Sequence, residues 1–208
     1  DVYKRQDFLK KYNPKMFVFE NVMGIKSANG GATWRNIKSY FKRIGYEIDC
    51  RELNASDFGV LQTRRRMIIV GWRKGSRCLC YPEFDVIDPH ATVNELLRDL
   101  PMLTPGKEKT HYGRKPCCTY VIDNEIRTSK DVLTLHQCRP NIPRDIKIYK
   151  RAIQLWNNGH QRLNYNDLPD NLKTHKNRDS FTDRFKVVEG DQSCCHTILA
   201  HLAKDGHY

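Results

Sequence analysis

A carboxylate at the end of an apolar run, and two arginines spaced one residue apart, are the parts of this sequence best suited to chemistry. Phe17, Val18 and Phe19 follow Asn13-Pro14 and stop abruptly at Glu20-Asn21, ahead of Val22 and Gly24. The pattern predicts a buried strand whose carboxyl end delivers a carboxylate and an amide into a loop. About forty residues later, Gln62-Thr63-Arg64-Arg65-Arg66 precedes the apolar run Met67-Ile68-Ile69-Val70. On an extended segment Arg64 and Arg66 point to one side and Arg65 to the other, so two guanidinium forks can grip oxygen atoms together. Each signal has a plainer reading. Glu20 can cap the turn after a strand and Asn21 can supply a left-handed residue, while three consecutive arginines are commonly a solvated loop.

These side chains need elements to hold them. From Ala32 onward, Trp34, Ile37, Phe41 and Ile44 recur at helical steps, with Arg35, Lys38, Lys42 and Arg43 on the other face and Gly45 as the stop. Trp34 and Phe41 are therefore core residues and not a stacking platform. Tyr46, Ile48 and Cys50 alternate with polar residues as a half-buried strand, and 67–70 is a further strand. Strand, helix, strand, loop, strand is the order of an α/β sheet. Ligands of open α/β sheets gather beyond the carboxyl ends of strands, where Glu20 and Asn21 fall. After Trp72 the texture changes: Pro82, Pro89, Pro101, Pro105 and Pro116 punctuate short segments, and charge is dense from Lys107 to Lys115. A domain boundary is expected near residue 75. Beyond it, helices are predicted from Thr92 to Leu100 and from Arg144 to Trp156, and 168–184 reads as a polar loop with little structure.

With 208 residues and 39% hydrophobic content the chain can build a sizeable core. Thirty-six Lys and Arg against 24 Asp and Glu leave a formal charge of +12, which suits nucleic acid as a polyanionic partner. A basic solvated surface is the alternative that composition leaves open. No apolar stretch approaches the roughly 18 residues that span a bilayer, and the start shows neither Met nor a signal region, so a cytoplasmic location is expected. The missing Met and an end in mid-pattern at Tyr208 predict cut edges at both termini, with residues 1–6 readable as a foreign scar. None of the eight cysteines makes a C-x-x-C pair, so free thiols are expected and no metal is assigned. Cys78-Leu79-Cys80, Cys117-Cys118 and Cys194-Cys195 with scattered histidines are the metal-binding alternative. His196 and His201 read as structural or phosphate-facing.

The order of the two arginine and carboxylate signals, their separation, and the strand and helix between them resemble the DNA cytosine-C5 methyltransferase family of bacterial and phage restriction-modification systems. The close match covers about 7–72: the Glu-Asn-Val strand end, then a helix, then a Gln-x-Arg-x-Arg loop. Asn54-Ala55-Ser56-Asp57-Phe58-Gly59-Val60-Leu61 is similar to the lead-in to that loop. More loosely, Thr92 to Leu100 with Pro101, then His136-Gln137-Cys138-Arg139 and Arg144-Asp145, resemble segments after the core and in the recognition region. His196-Thr197-Ile198, Ala200-His201 and 204–208 resemble the return into the core. The resemblance implies residues 1–75 as the C-terminal part of a Rossmann-like catalytic sheet, 76–195 as a smaller, irregular DNA target-recognition domain, and 196–208 as the start of the return.

Carbon 5 of cytosine is not nucleophilic. An enzyme adds a thiolate at carbon 6, builds electron density at carbon 5, and lets that carbon take a methyl group from S-adenosylmethionine. By resemblance, Glu20 hydrogen-bonds the ring N3 and the exocyclic amine as the thiolate adds, a role that calls for a raised pKa in a dry pocket. Asn21 shapes the same loop. Arg64 and Arg66 hold the base carbonyl oxygen and flanking phosphates, with Gln62 and Arg65 also facing DNA. The base cannot be reached inside double-stranded DNA, so the resemblance implies base flipping, with the second domain reading the major groove. It implies a monomer, with a cognate restriction endonuclease as a partner left open.

The family's glycine-rich turn for the methyl donor and its Pro-Cys nucleophile turn lie upstream of the Glu-Asn-Val strand and are not in this sequence. Pro116-Cys117 is far from the family position and reads as coincidence. The expectation is an internal fragment that transfers no methyl group alone, which detectable transfer by the purified 208-residue chain would contradict. A non-catalytic basic DNA-binding module, or a degenerate paralogue, is the second reading. A nuclease is the third, for which no paired carboxylates stand at a convincing metal spacing.

Overall fold

In the computed structural model the described residues are 2–76, 79–115, 118–174, 176, 178–180 and 182–197, with side chains described from residue 7 onward. The chain is a mixed α/β protein that divides into two compact units, 1–88 and 89–208. The segment after Trp72 packs against the first sheet. Tyr81 is buried and donates its hydroxyl to Ile68 O at 3.3 Å, and Glu83 receives both Nη atoms of Arg51 at 2.9 and 3.1 Å.

The first unit runs α1 (Val2–Tyr12), β1 (Met16–Asn21), α2 (Ala32–Arg43), β2 (Tyr46–Asn54), β3 (Gln62–Thr63) and β4 (Arg65–Arg73). The three longer strands form a sheet in the order β1-β4-β2, with β4 antiparallel to both neighbours. The register pairs Phe17 with Gly71, Phe19 with Ile69 and Asn21 with Met67, and on the other side Tyr46 with Arg73, Ile48 with Gly71 and Cys50 with Ile69. Because side chains alternate across a strand, this set lines one face, and α2 lays Ile37 and Phe41 on it, each 2% exposed, beside fully buried Met67 and Ile69. The helical spacing of Trp34, Ile37, Phe41 and Ile44 is therefore the stripe that meets the sheet, and Gly45, at φ 87°, turns the chain into β2. Hydrogen bonds from the Tyr46 hydroxyl to Pro14 O at 2.6 Å, and from Arg73 to the carbonyls of Asn13 and Pro14, fix the start of β1.

Gly71 is where this packing is tightest. A Cβ there would lie 2.3 Å from the Phe17 ring, which crosses over the glycine to reach Phe41 at 4.9 Å and Tyr46 at 5.2 Å between centroids. Gly71→Ala is expected to displace that ring and lower stability by about 1–3 kcal/mol, read as a fall in the urea midpoint; an unchanged midpoint would show that the ring moves aside without cost.

Helix α1 was not signalled by the sequence. Of its described side chains only Leu9 is buried, while Phe8 and Tyr12 are exposed, so no stripe announces it.

The second unit holds α3 (Val93–Leu97), α4 (Thr119–Asp123), α5 (Pro143–Gly159) and β5 (Cys195–His196). Helix α3 is shorter than the predicted Thr92–Leu100: Thr92 is its cap, and after Leu97 the Arg98 and Leu100 N–H groups turn back to the carbonyls of Glu95 and Leu97, three residues away, ahead of Pro101. The Thr92 hydroxyl accepts from Glu95 N–H at 3.3 Å, and Glu95 Oε2 accepts from Thr92 N–H at 2.7 Å, a complete capping box. Helix α5 is longer than predicted: Pro143 opens it in a position that needs no N–H, and His160, left-handed at φ 52°, closes it. Its Ile148 and Ala152 pack with Leu163, Tyr165, Leu168 and Phe185 as a second core. That core adds buried anchors to 168–184, the stretch that reads as a polar loop with little structure. Leu168 is 3% exposed, Thr174 N–H donates to the Tyr165 hydroxyl at 2.6 Å, and Arg184 lies 4.4 Å over the Tyr165 ring. The stretch has little regular structure but is tied down by one buried tyrosine.

The capping box has a pH signature. Hydrogen bonds from the Thr92 backbone and then its hydroxyl hold the Glu95 carboxyl below the ordinary glutamate value. A lowered folded-state pKa contributes stability that is present above about pH 4.3, the unfolded glutamate value, and is lost as pH falls through the folded pKa. A carbon-13 titration should place the Glu95 midpoint below that of glutamate in a peptide. Thr92→Ala should move it part of the way back, and a midpoint at the peptide value in the unsubstituted chain would refute the box.

Candidate active site

Glu20 pairs with Ile68 across the β1–β4 ladder, which puts its side chain on the sheet face opposite α2. Ile68, Arg66 and Arg64 follow each other at steps of two toward the start of β4, so they share that face. The Glu20 Oε1 atom lies 2.8 Å from Arg66 Nε and 3.8 Å from Arg64 Nη2. Arg65 faces the other way and pairs with Glu52 of β2. The i and i+2 spacing thus does what the extended geometry requires, and Glu20, Arg64 and Arg66 stand together.

Asn21 does not join them. Its Oδ1 accepts from Val22 N–H at 2.8 Å, a local turn that shapes the exit from β1. Its backbone is not among the left-handed residues, so that alternative is set aside. Gln62 is half-buried in β3, its N–H donating to Val60 O at 2.7 Å.

The dry pocket expected around Glu20 is not what surrounds it. The carboxylate is 51% exposed, Arg64 42% and Arg66 22%, and solvent reaches all three. The shortest contact of each arginine falls on Oε1. Arg66 Nη1 also donates to Arg65 O at 2.8 Å. A surface pair of this kind adds little to stability. What it provides is a carboxylate and two guanidinium groups gathered where solvent reaches them.

Sequence reasoning missed the support behind the arginines. Arg64 N–H donates to Asn54 Oδ1 at 2.9 Å, and Ala55 N–H donates to Arg64 O at 3.0 Å. The available signal was an asparagine at a strand end before a turn, a residue type that commonly bonds nearby backbone.

Around Glu20 the described residues offer a carboxylate and guanidinium groups. The cavities that can be described, of about 420 Å³ beside Asn94, Glu95, Leu97 and Arg98 and about 250 Å³ beside Tyr149, Ala152 and Phe185, belong to the second unit. These residues do not fit a methyl-donor site, and none is assigned to one. Among the described residues no group of His, Cys, Asp and Glu can hold a metal ion, and Cys50, Cys80, Cys118 and Cys138 are free thiols. Cys78, Pro116-Cys117, His201 and 198–208 lie outside the described residues. His136 sits against Pro101 O at 2.7 Å, a structural role. His196 is held below the ordinary histidine value by burial and then by the charges of Lys186 and Arg162, which favours its neutral form. Among the described residues no helix is long and apolar enough to cross a membrane.

Comparison with known proteins gives the same direction. A family model described as C-5 cytosine-specific DNA methylase matches residues 2–194. Type II methyltransferase M.Bpa9945I of Bacillus paralicheniformis is 36% identical over 224 residues, covering 99% of this chain and 49% of that protein. Type II methyltransferase M1.HphI of Haemophilus parahaemolyticus is 36% identical over 99 residues, 48% of this chain and 26% of its own length. Type II methyltransferase M.BspRI of Lysinibacillus sphaericus is 39% identical over 104 residues, 47% of this chain and 24% of its own length. The chain thus spans about half, or less, of the length of these relatives. With nearly its whole length matched by the family model, the chain belongs to the C-5 cytosine-specific DNA methylases.

Proposed function

We propose that the chain works as part of a longer DNA cytosine-C5 methyltransferase, in which Glu20, Arg64 and Arg66 contact a cytosine flipped out of double-stranded DNA. The observation that carries this reading is the convergence of Arg64 and Arg66 on Glu20 Oε1, which gathers one carboxylate and two guanidinium groups at a solvent-exposed place. Cytosine presents a ring nitrogen and an exocyclic amine beside a carbonyl oxygen. A carboxyl group and a guanidinium side by side match that edge with complementary donors and acceptors.

S-adenosylmethionine supplies the methyl group when bound, and its binding residues belong to another part of the enzyme, as does the nucleophilic thiolate. The contribution of this chain is to bind and orient the base and to hold a proton at Glu20. Hydrogen bonding of the protonated carboxyl to N3 stabilises the ring as nucleophile addition puts charge on it. Closure of DNA over the half-exposed carboxyl removes water, and burial favours the protonated form. Gln62 faces DNA next to the site, Arg65 reaches DNA from the other side of its strand, and Asn21 sets the loop after β1.

In this reading residues 76–195 are the target-recognition domain and 196–208 begin the return into the catalytic core. The +12 charge supports a DNA partner through phosphate neutralisation. The enzyme acts as a monomer in the bacterial cytoplasm, with a cognate restriction endonuclease left open as a partner. The test is transfer of labelled methyl groups by the complete enzyme. Ordinary duplex DNA should accept label, and the same duplex with 5-methylcytosine at every cytosine should accept none; equal labelling of both would refute the proposal.

A further inference from the structure

We propose that Asn54 is a positioning residue for the two arginines, a clamp that works through the main chain of Arg64. The proposal rests on the reading of Glu20, Arg64 and Arg66 as the cytosine site. Arg64 stands between β3 and β4, one residue outside the β2–β4 ladder, whose last pair is Asn54 with Arg65. A residue in that place has no strand partner for its N–H and C=O, and half-buried backbone groups seek one. Both are met from a single corner. Asn54 Oδ1 accepts the Arg64 N–H at 2.9 Å, and the next residue, Ala55, donates its N–H to Arg64 O at 3.0 Å.

The clamp is itself held. Asn54 Nδ2 donates to Ser56 Oγ at 2.7 Å, and the Ser56 hydroxyl lies 3.4 Å from Asp57 Oδ1. The side-chain amide therefore uses its acceptor on Arg64 and its donor on the turn that follows β2, and it cannot rotate without losing both. The consequence reaches the site through strand geometry. Arg64 and Arg66 share a side only while 64–66 stays extended. Release of the Arg64 backbone lets that residue turn, carrying its guanidinium away from Glu20 while Arg66, inside the β4 ladder, keeps its place.

Asn54→Ala in the complete enzyme is expected to lower kcat by about 10- to 100-fold, the scale of a small misplacement of reacting groups, with little change in KM for DNA. Asn54→Asp keeps the acceptor for Arg64 N–H, and the Ser56 hydroxyl can turn to donate to it, so this variant should recover most of kcat. In the purified chain, Asn54→Ala should speed hydrogen exchange at the Arg64 amide severalfold, and Asn54→Asp should not. An unchanged kcat in Asn54→Ala overturns the proposal. So do equal losses in both variants that track a fall in melting temperature, because Asn54 is then only structural. Glu20→Gln in the same assay separates the two levels. If it is inactive while Asn54→Ala is fully active, the clamp fails and the site reading stands. If Glu20→Gln is fully active, the site reading fails, and unaltered Arg64 exchange in Asn54→Ala would remove the clamp as well.

Discussion

Glu20→Gln in the complete enzyme is expected to lower kcat for DNA methylation by about 10²- to 10⁴-fold, the range contributed by a positioned proton donor. The amide keeps the size and most of the hydrogen-bonding shape of the side chain but cannot deliver a proton to a ring nitrogen. Binding should survive, because phosphate contacts dominate affinity, and a gel-shift titration should give a similar Kd. Stability should survive too. Glu20 is half exposed, and its pairs with Arg66 and Arg64 are surface pairs of small net worth. Loss of turnover with retained folding and DNA affinity is the pattern that separates a group acting on the base from one that caps a turn. A variant with wild-type turnover would return Glu20 to the capping role.

The largest expected loss of stability is in the second unit, at Asp99. Its side chain is 7% exposed and that of Arg127 is 6%, with Nε 3.0 Å from Oδ2, an ion pair whose alignment falls short of a hydrogen bond. Arg127 also donates to Arg114 O at 2.8 Å and lies 3.5 Å over the Tyr112 ring, and the Asp99 carbonyl accepts from Gly113 N–H at 3.0 Å. The pair therefore ties the segment after α3 to 112–114 and to the residues after α4. Asp99→Ala leaves a buried guanidinium without its counter-charge, which costs on the order of 3–5 kcal/mol. Thermal unfolding should show it as a large fall in the melting temperature of this unit. The double variant Asp99→Leu, Arg127→Met should recover much of the loss, because an apolar pair of similar volume carries no desolvation cost. A single variant as stable as the parent would mean that water reaches the guanidinium.

How far the sequence spoke depended on how local the information was. The α2 stripe and the strand around Tyr46–Cys50 were legible from their periodicity, and Met67–Val70 from its apolar run; the run Phe17–Phe19 marked a strand too, but not the buried one expected, since Phe17 and Phe19 are half-buried and Val18 is 68% exposed. The shared side of Arg64 and Arg66 was legible as well, since alternation along an extended segment fixes it. The antiparallel placement of β4 between β1 and β2 was not, because pairing is decided by partners distant in sequence. Nor was the Arg64–Asn54 bond, a contact ten residues apart that depends on β4 running back along β2. In the second unit, Leu168 and Tyr165 were hidden among polar neighbours, and a core assembled from isolated residues on irregular segments leaves no period to read. The exposure of Glu20 was equally hidden, since an acid at a strand end has the same spelling in a closed pocket and on an open face.

The central claim is that this site serves methylation at carbon 5 of cytosine. The most direct measurement is nucleoside analysis by mass spectrometry of duplex DNA after reaction with the complete enzyme and S-adenosylmethionine. The account predicts 5-methyldeoxycytidine as the methylated nucleoside, formed with the unsubstituted enzyme and nearly lost with Glu20→Gln. Methyl groups found instead on an exocyclic amine of cytosine or adenine would contradict it.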